Sequence, residues 1–146
     1  MGLLPRVNET ETQDKVKKYL KKEFPRLVMQ AGYSMLQVQS PSFGGIGSNI
    51  SNVRNSLEDK MVDHFEAKPI VLATIKAINH CPEKASWILR ELYIKELKDS
   101  EVERASMYSH STYQEKKKIA WLWFADAFQN TEDLHVYEEV SWKKFT

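Results

Sequence analysis

Cysteine is almost missing from this chain: Cys81 stands alone among 146 residues, so no internal disulfide can form. Histidines at ligand spacing are missing too. His64, His80, His110 and His135 never fall four apart, and the neighbours His80 and Cys81 have no distant Cys or His partner, so neither a metal nor any other cofactor is expected. Asp63, His64 and Glu66 could be drawn as an acid-base group, but carboxylates beside histidines are common on helix surfaces, and the chain is not expected to be an enzyme. No apolar run reaches the ~18 residues that cross a bilayer, so no membrane partner is expected. The start, MGLLPRVNE, has no long apolar stretch, so no secretory signal is expected either. A myristoylation reading of Gly2 fails at Arg6, where that motif takes Ser or Thr. These absences point to the cytoplasm. Charge of one sign is also lacking. With 21 basic and 20 acidic residues, any attraction to a polyanion must come from local patches.

The residues that are present describe a folding chain. An apolar share of 42%, with 11% aromatics and 28% charged residues, is that of an ordinary globular protein, and the length suits one domain with an arm and a tail. Thr10 or Thr12 is placed to cap a first helix reaching about Gln30, with Val16, Tyr19, Leu20, Leu27 and Val28 as its apolar positions and Pro25 as a break or kink. Up to Gln30 seven basic residues face four acidic ones, an excess read as a solvated helix face. Residues 40–56, SPSFGGIGSNISNVRNS, form a loop separating an N-terminal basic helical segment (1–39) from a helical domain (57–129), which a tail (130–146) follows. The glycines at 44, 45 and 47 lack the Gly-Lys-Ser/Thr of a phosphate cradle and read as a flexible turn.

Within the domain, Ser56 and Asp59 suggest a cap for a helix carrying Leu57, Met61, Val62 and Phe65. Pro69 starts another, with Ile70, Val71, Ile75 and Ile78 on one side, and Pro82 a third, with Trp87, Ile88, Leu89, Leu92 and Tyr93 toward the core. No run of strand-like alternation precedes the tail, so the fold class is all-α.

The stretch from Lys98 to Phe128 has the layout of a helix-turn-helix. Asp99 or Ser100 can cap its first helix, Ser100 and Glu103 fit a capping box, and Val102, Ala105 and Met107 are its inward positions. Tyr108 to His110 form the turn, and Ser109 caps the second helix. On that helix Tyr113, Lys116 or Lys117, Ala120, Trp121, Phe124 and Phe128 share one face. The other face begins with Ser111, Gln114, Glu115 and Lys118, with His110 and Thr112 beside them. Such a face suits a major groove, where Gln114 can pair with adenine while Lys117, Lys118 and an outward Lys116 meet phosphates. The spacing alone fits equally a surface helix of a bundle that happens to carry three lysines.

At these residues the chain resembles the ArpU-type phage transcriptional regulators. The matching stretches are Leu3-Leu4-Pro5, Ser40-Pro41-Ser42-Phe43, Ile75-Lys76-Ala77-Ile78-Asn79, Pro82-Glu83, Tyr108-Ser109-His110-Ser111-Thr112-Tyr113, Lys116-Lys117-Lys118-Ile119-Ala120 and Phe124-Ala125-Asp126-Ala127-Phe128. The resemblance implies a C-terminal part like sigma-70 region 4, binding to double-stranded DNA, control of late packaging and lysis genes of a phage or prophage in a bacterial host cell, and contact with RNA polymerase. A non-catalytic packaging or assembly component, or a protein-interaction module without specific DNA binding, is the alternative. Where that family has leucine and glycine before the turn, this chain has Ser106 and Met107, so a reshaped turn is expected.

From Ile119 to Phe124 six apolar residues follow one another, more than one core can use. Leu122 and Trp123 therefore need a cover, which is either a second copy of the chain in a homodimer or the tail folding back through Leu134, Val136, Tyr137, Val140 and Trp142.

Overall fold

Asn8, not Thr10 or Thr12, starts the first helix. In the computed structural model, which describes residues 5–43 and 66–138, the Asn8 side chain accepts a hydrogen bond from the Glu11 N–H at 3.1 Å. Helix α1 (Glu9–Lys18) follows, with Glu9 and Glu11 in its first turn and Lys15, Lys17 and Lys18 in its last, the order that its dipole favours. Thr12 is fully buried instead of capping. Pro25 neither breaks nor stops the helical path. A π turn at Tyr19–Glu23 widens the helix just before it, with the Phe24 N–H reaching the Tyr19 carbonyl, and α2 (Phe24–Gln30) continues. The wider turn makes room for a residue that lacks an N–H and would crowd the carbonyl four positions back. Gly32 ends α2 at a φ of 81°, with the Gly32 N–H bonding Met29 O at 3.0 Å and the Tyr33 N–H bonding Val28 O at 3.1 Å.

A single turn, α3 (Met35–Val38), closed by a capping box between Ser34 and Gln37, leads to Phe43, whose ring meets Tyr33 edge-on at 4.8 Å. Most of the expected loop, and the expected helix with Ser56, Leu57, Asp59, Met61, Val62, His64 and Phe65, lie outside the described residues. Helix α4 (Ala67–His80) holds Pro69 in its first turn, where a missing N–H is harmless, and buries Val71, Ile75 and Ile78. Pro82 caps α5 (Glu83–Leu89), which passes into a second π turn, Arg90–Ile94. That extra residue per turn changes the expected core face: Ile88 and Leu89 are buried, Trp87, Leu92 and Tyr93 are half-buried, and Glu91 and Ile94 turn inward instead. Helices α6 (Asp99–Ser106) and α7 (His110–Phe128) complete the order.

The fold is all-α, with no strand among the described residues, and one core joins the N-terminal helices to α4, α5 and α7. Val16, Tyr19, Leu20, Phe24 and Val28 from the N-terminal helices share that core with Val71 and Ile78 of α4, Leu89 of α5 and Phe124 and Phe128 of α7. The Tyr19 ring lies tilted 5.2 Å from that of Phe128, and its hydroxyl meets Thr74 Oγ1 at 2.7 Å. The basic N-terminal segment is thus held against α7. The tail folds back as an extended arm: Leu134 is buried, the Asn8 N–H bonds Val136 O at 2.7 Å, the Glu138 N–H bonds Arg6 O at 2.9 Å, and the Val136 N–H bonds Thr12 Oγ1 at 2.9 Å. No helix among the described residues is long and apolar enough to cross a membrane.

Candidate nucleic-acid interface

The turn between α6 and α7 is tied from both sides. Helix α6 starts at Asp99 without a side-chain cap, so the expected Ser100–Glu103 box does not form. Val102 is its buried contact, whereas Ala105 is exposed and Met107 is 90% exposed. The turn is not reshaped to avoid a left-handed residue. Met107 itself takes φ 64° and ψ 12°, a region that disfavours side chains. Ser106 supports it: its hydroxyl donates to Glu103 O at 2.6 Å and accepts from the Tyr108 N–H at 3.2 Å. Ser109 then caps α7, accepting from the Thr112 N–H at 3.3 Å and donating to Thr112 Oγ1 at 2.9 Å. Across the turn His110 Nδ1 lies 2.8 Å from Glu103 Oε1.

Helix α7 divides its residues much as the spacing implies. Tyr113, Ala120, Trp121, Phe124 and Phe128 are buried, while Ser111, Glu115 and Lys118 are exposed and Thr112 and Gln114 half-exposed. His110 is exposed at the helix start with one ring nitrogen engaged by Glu103. Lys117 is the correction. It is only 9% exposed, and its ammonium bonds both Asp99 oxygens, at 3.1 and 3.0 Å, between the rings of Tyr113 and Trp121. Its aliphatic stem lies on the core face, so it cannot meet a phosphate without leaving Asp99. Lys118 and the half-buried Lys116 remain as cations at this end of α7.

Asp99 is the anchor that spacing did not reveal. Tyr113 Oη donates to it at 2.8 Å, and Trp121 Nε1 donates to the Tyr93 hydroxyl at 2.9 Å beside it. Burial alone would raise the Asp99 carboxyl, but the bonds from Lys117 and Tyr113 outweigh it and hold the group below its ordinary value. Tyr113 is pushed well above the ordinary phenol by burial and then by Asp99, and burial takes Tyr93 up to about 12. This charged cluster locks α6 against α7 and so fixes the angle at which the polar face of α7 is presented. Beside it opens a cleft of about 460 Å³ into which Lys17, Lys21 and Lys98 also face.

The tail folds back, but among the described residues the expected cover over Trp123 does not form. Leu122 is half-buried, and Trp123 stays 46% exposed beside Cys81 and Pro82, while Leu134 docks elsewhere in the core. Val140 and Trp142 lie outside the described residues. Burial raises the Cys81 thiol to about 11, and the thiol donates to Ala77 O at 3.3 Å, so at neutral pH it is a core group and not a nucleophile. Set against known proteins, the chain matches no family model, no curated protein and no solved structure.

Proposed function

We propose that this chain is a sequence-specific binder of double-stranded DNA that regulates late packaging and lysis genes of a phage or prophage inside a bacterial host. The observation that carries the DNA reading is the exposed polar start of α7, held by a capped turn and the Asp99–Lys117 lock. Ser111 and Lys118 face outward there with His110, Thr112 and Glu115 beside them and Gln114 half-exposed next to Asp99, while the aromatic half of the helix is buried. A helix so presented fits a major groove, with Gln114 paired to adenine and Lys118 to phosphate. The phage and late-gene assignment, and RNA polymerase as a further partner, rest on the sequence resemblance.

Fluorescence anisotropy with phage regulatory DNA tests the reading. Lys118→Ala should lower the salt slope of binding by roughly one unit. Gln114→Ala should weaken binding by ~1–3 kcal/mol and relax the preference at one base pair. Lys117→Met, which keeps the buried stem but breaks the bond to Asp99, should weaken binding through the looser α7 while leaving the salt slope unchanged. If neither Lys118→Ala nor Gln114→Ala alters binding, α7 does not read DNA. A chain that binds no DNA at all would favour the second reading, a protein-interaction module, for which the exposed Trp123 speaks.

A further inference from the structure

Helix α7 carries a second exposed face. Ile119 and Trp123, 42% and 46% exposed, lie one turn apart, with Lys116 one turn before them and Asp126 one turn after. The strip therefore reads cation, apolar, apolar, anion along the helix, and such an order complements itself when reversed. We infer that the Ile119–Trp123 ridge is the seat of an antiparallel self-association of this chain.

The register follows from the residues. When two copies of α7 cross antiparallel at the level of Trp121, each Ile119 meets the partner's Trp123 and each Lys116 meets the partner's Asp126. A crossing at Ile119 would set Trp123 against the partner's Glu115. One at Trp123 would set Ile119 against the partner's Ala127 and Lys116 against the partner's Asn130. A parallel pair would oppose lysine to lysine and aspartate to aspartate, which is unfavourable. Only the crossing at Trp121 buries apolar against apolar and pairs opposite charges at both ends. Asp126 keeps its bond to His135, 2.7 Å away through Oδ1, and its side chain is 62% exposed, so a carboxylate oxygen is open to a second cation. This proposal does not depend on DNA binding.

Sedimentation equilibrium of the full chain over a wide concentration range tests it. The wild type should gain mass with concentration toward a dimer. Lys116→Glu should face Glu against Asp at both ends, and Asp126→Lys should face Lys against Lys, so each alone should associate at least tenfold more weakly. An equimolar mixture of the two variants restores both opposite pairs and should recover the wild-type association, which a misfolded variant could not do. Because Asp126→Lys also removes the bond to His135, Trp123→Ser is measured alongside and should weaken association at least tenfold while circular dichroism stays helical. A wild type that remains monomeric throughout, a mixture no better than its components, or an unchanged association of Trp123→Ser would each overturn the proposal.

Discussion

Met107 holds a backbone angle that its side chain opposes, and nothing offsets this through contact, since the side chain stands in solvent. A left-handed angle strains a side-chain-bearing residue by ~1–2 kcal/mol, and glycine gives back some of that through its looser unfolded state. Met107→Gly should therefore raise stability by about 0.5–1 kcal/mol, read as a shift in the urea midpoint with unchanged slope. A loss of stability would mean that the methionine makes a contact that matters. The same scale shows what spacing can and cannot deliver. The three-and-four repeat from Tyr113 to Phe128 put the right rings in the core, because helical geometry is local. It placed Lys117 ambiguously, because its partner Asp99 lies eighteen residues away in the other helix of the pair, and only the fold brings the two together.

At the scale of elements, the two π turns show a similar limit. Pro25 announced a disturbance, and the disturbance is there, but a widened turn absorbs it and the helical path goes on. The turn at Arg90–Ile94 has no such marker, and it brought Glu91 and Ile94 into the buried set while Leu92 and Tyr93 stay half-buried. The tail depends on a different kind of contact. His135 lies between Asp133 and Asp126, at 2.6 and 2.7 Å. Burial alone would favour the neutral imidazole, but the two carboxylates outweigh it and raise its pKa. A raised folded-state pKa means that the stabilisation is complete below the ordinary ~6.5 and fades as pH climbs through the higher folded value. The melting temperature should accordingly fall as pH rises from about 6 to 8, and His135→Gln should flatten that dependence. A wild-type profile as flat as that of the variant would show that the two carboxylates do not hold the proton. Leu134 and Val136 made the fold-back of this arm one of two expected covers; its attachment beside Asn8 and Thr12 was not readable, because backbone bonds between chain ends leave no pattern in either segment.

At the scale of the whole molecule, α7 is shared by three environments. One side belongs to the core that the N-terminal helices complete. The proposed reading face around Ser111, Gln114 and Lys118 and the ridge of Ile119 and Trp123 flank the exposed remainder, roughly 130° apart around the helix at 100° per residue. In the proposed antiparallel pair the two-fold axis passes between the helices and perpendicular to both, so a face set about a third of a turn from the ridge emerges on the same side in both copies. The two Gln114 side chains then lie roughly 21 Å apart along the helix axes at 1.5 Å per residue, short of the ~34 Å of one turn of duplex. Duplexes carrying inverted half-sites one helical turn apart should therefore bind no more tightly than those with half a turn inserted, as judged by anisotropy titration; a tenfold preference would show that the two copies engage one duplex in another register. The order of four side chains along a single helix would in this way set how closely two copies stand, and with it the choice between pairing along the ridge and sharing one duplex.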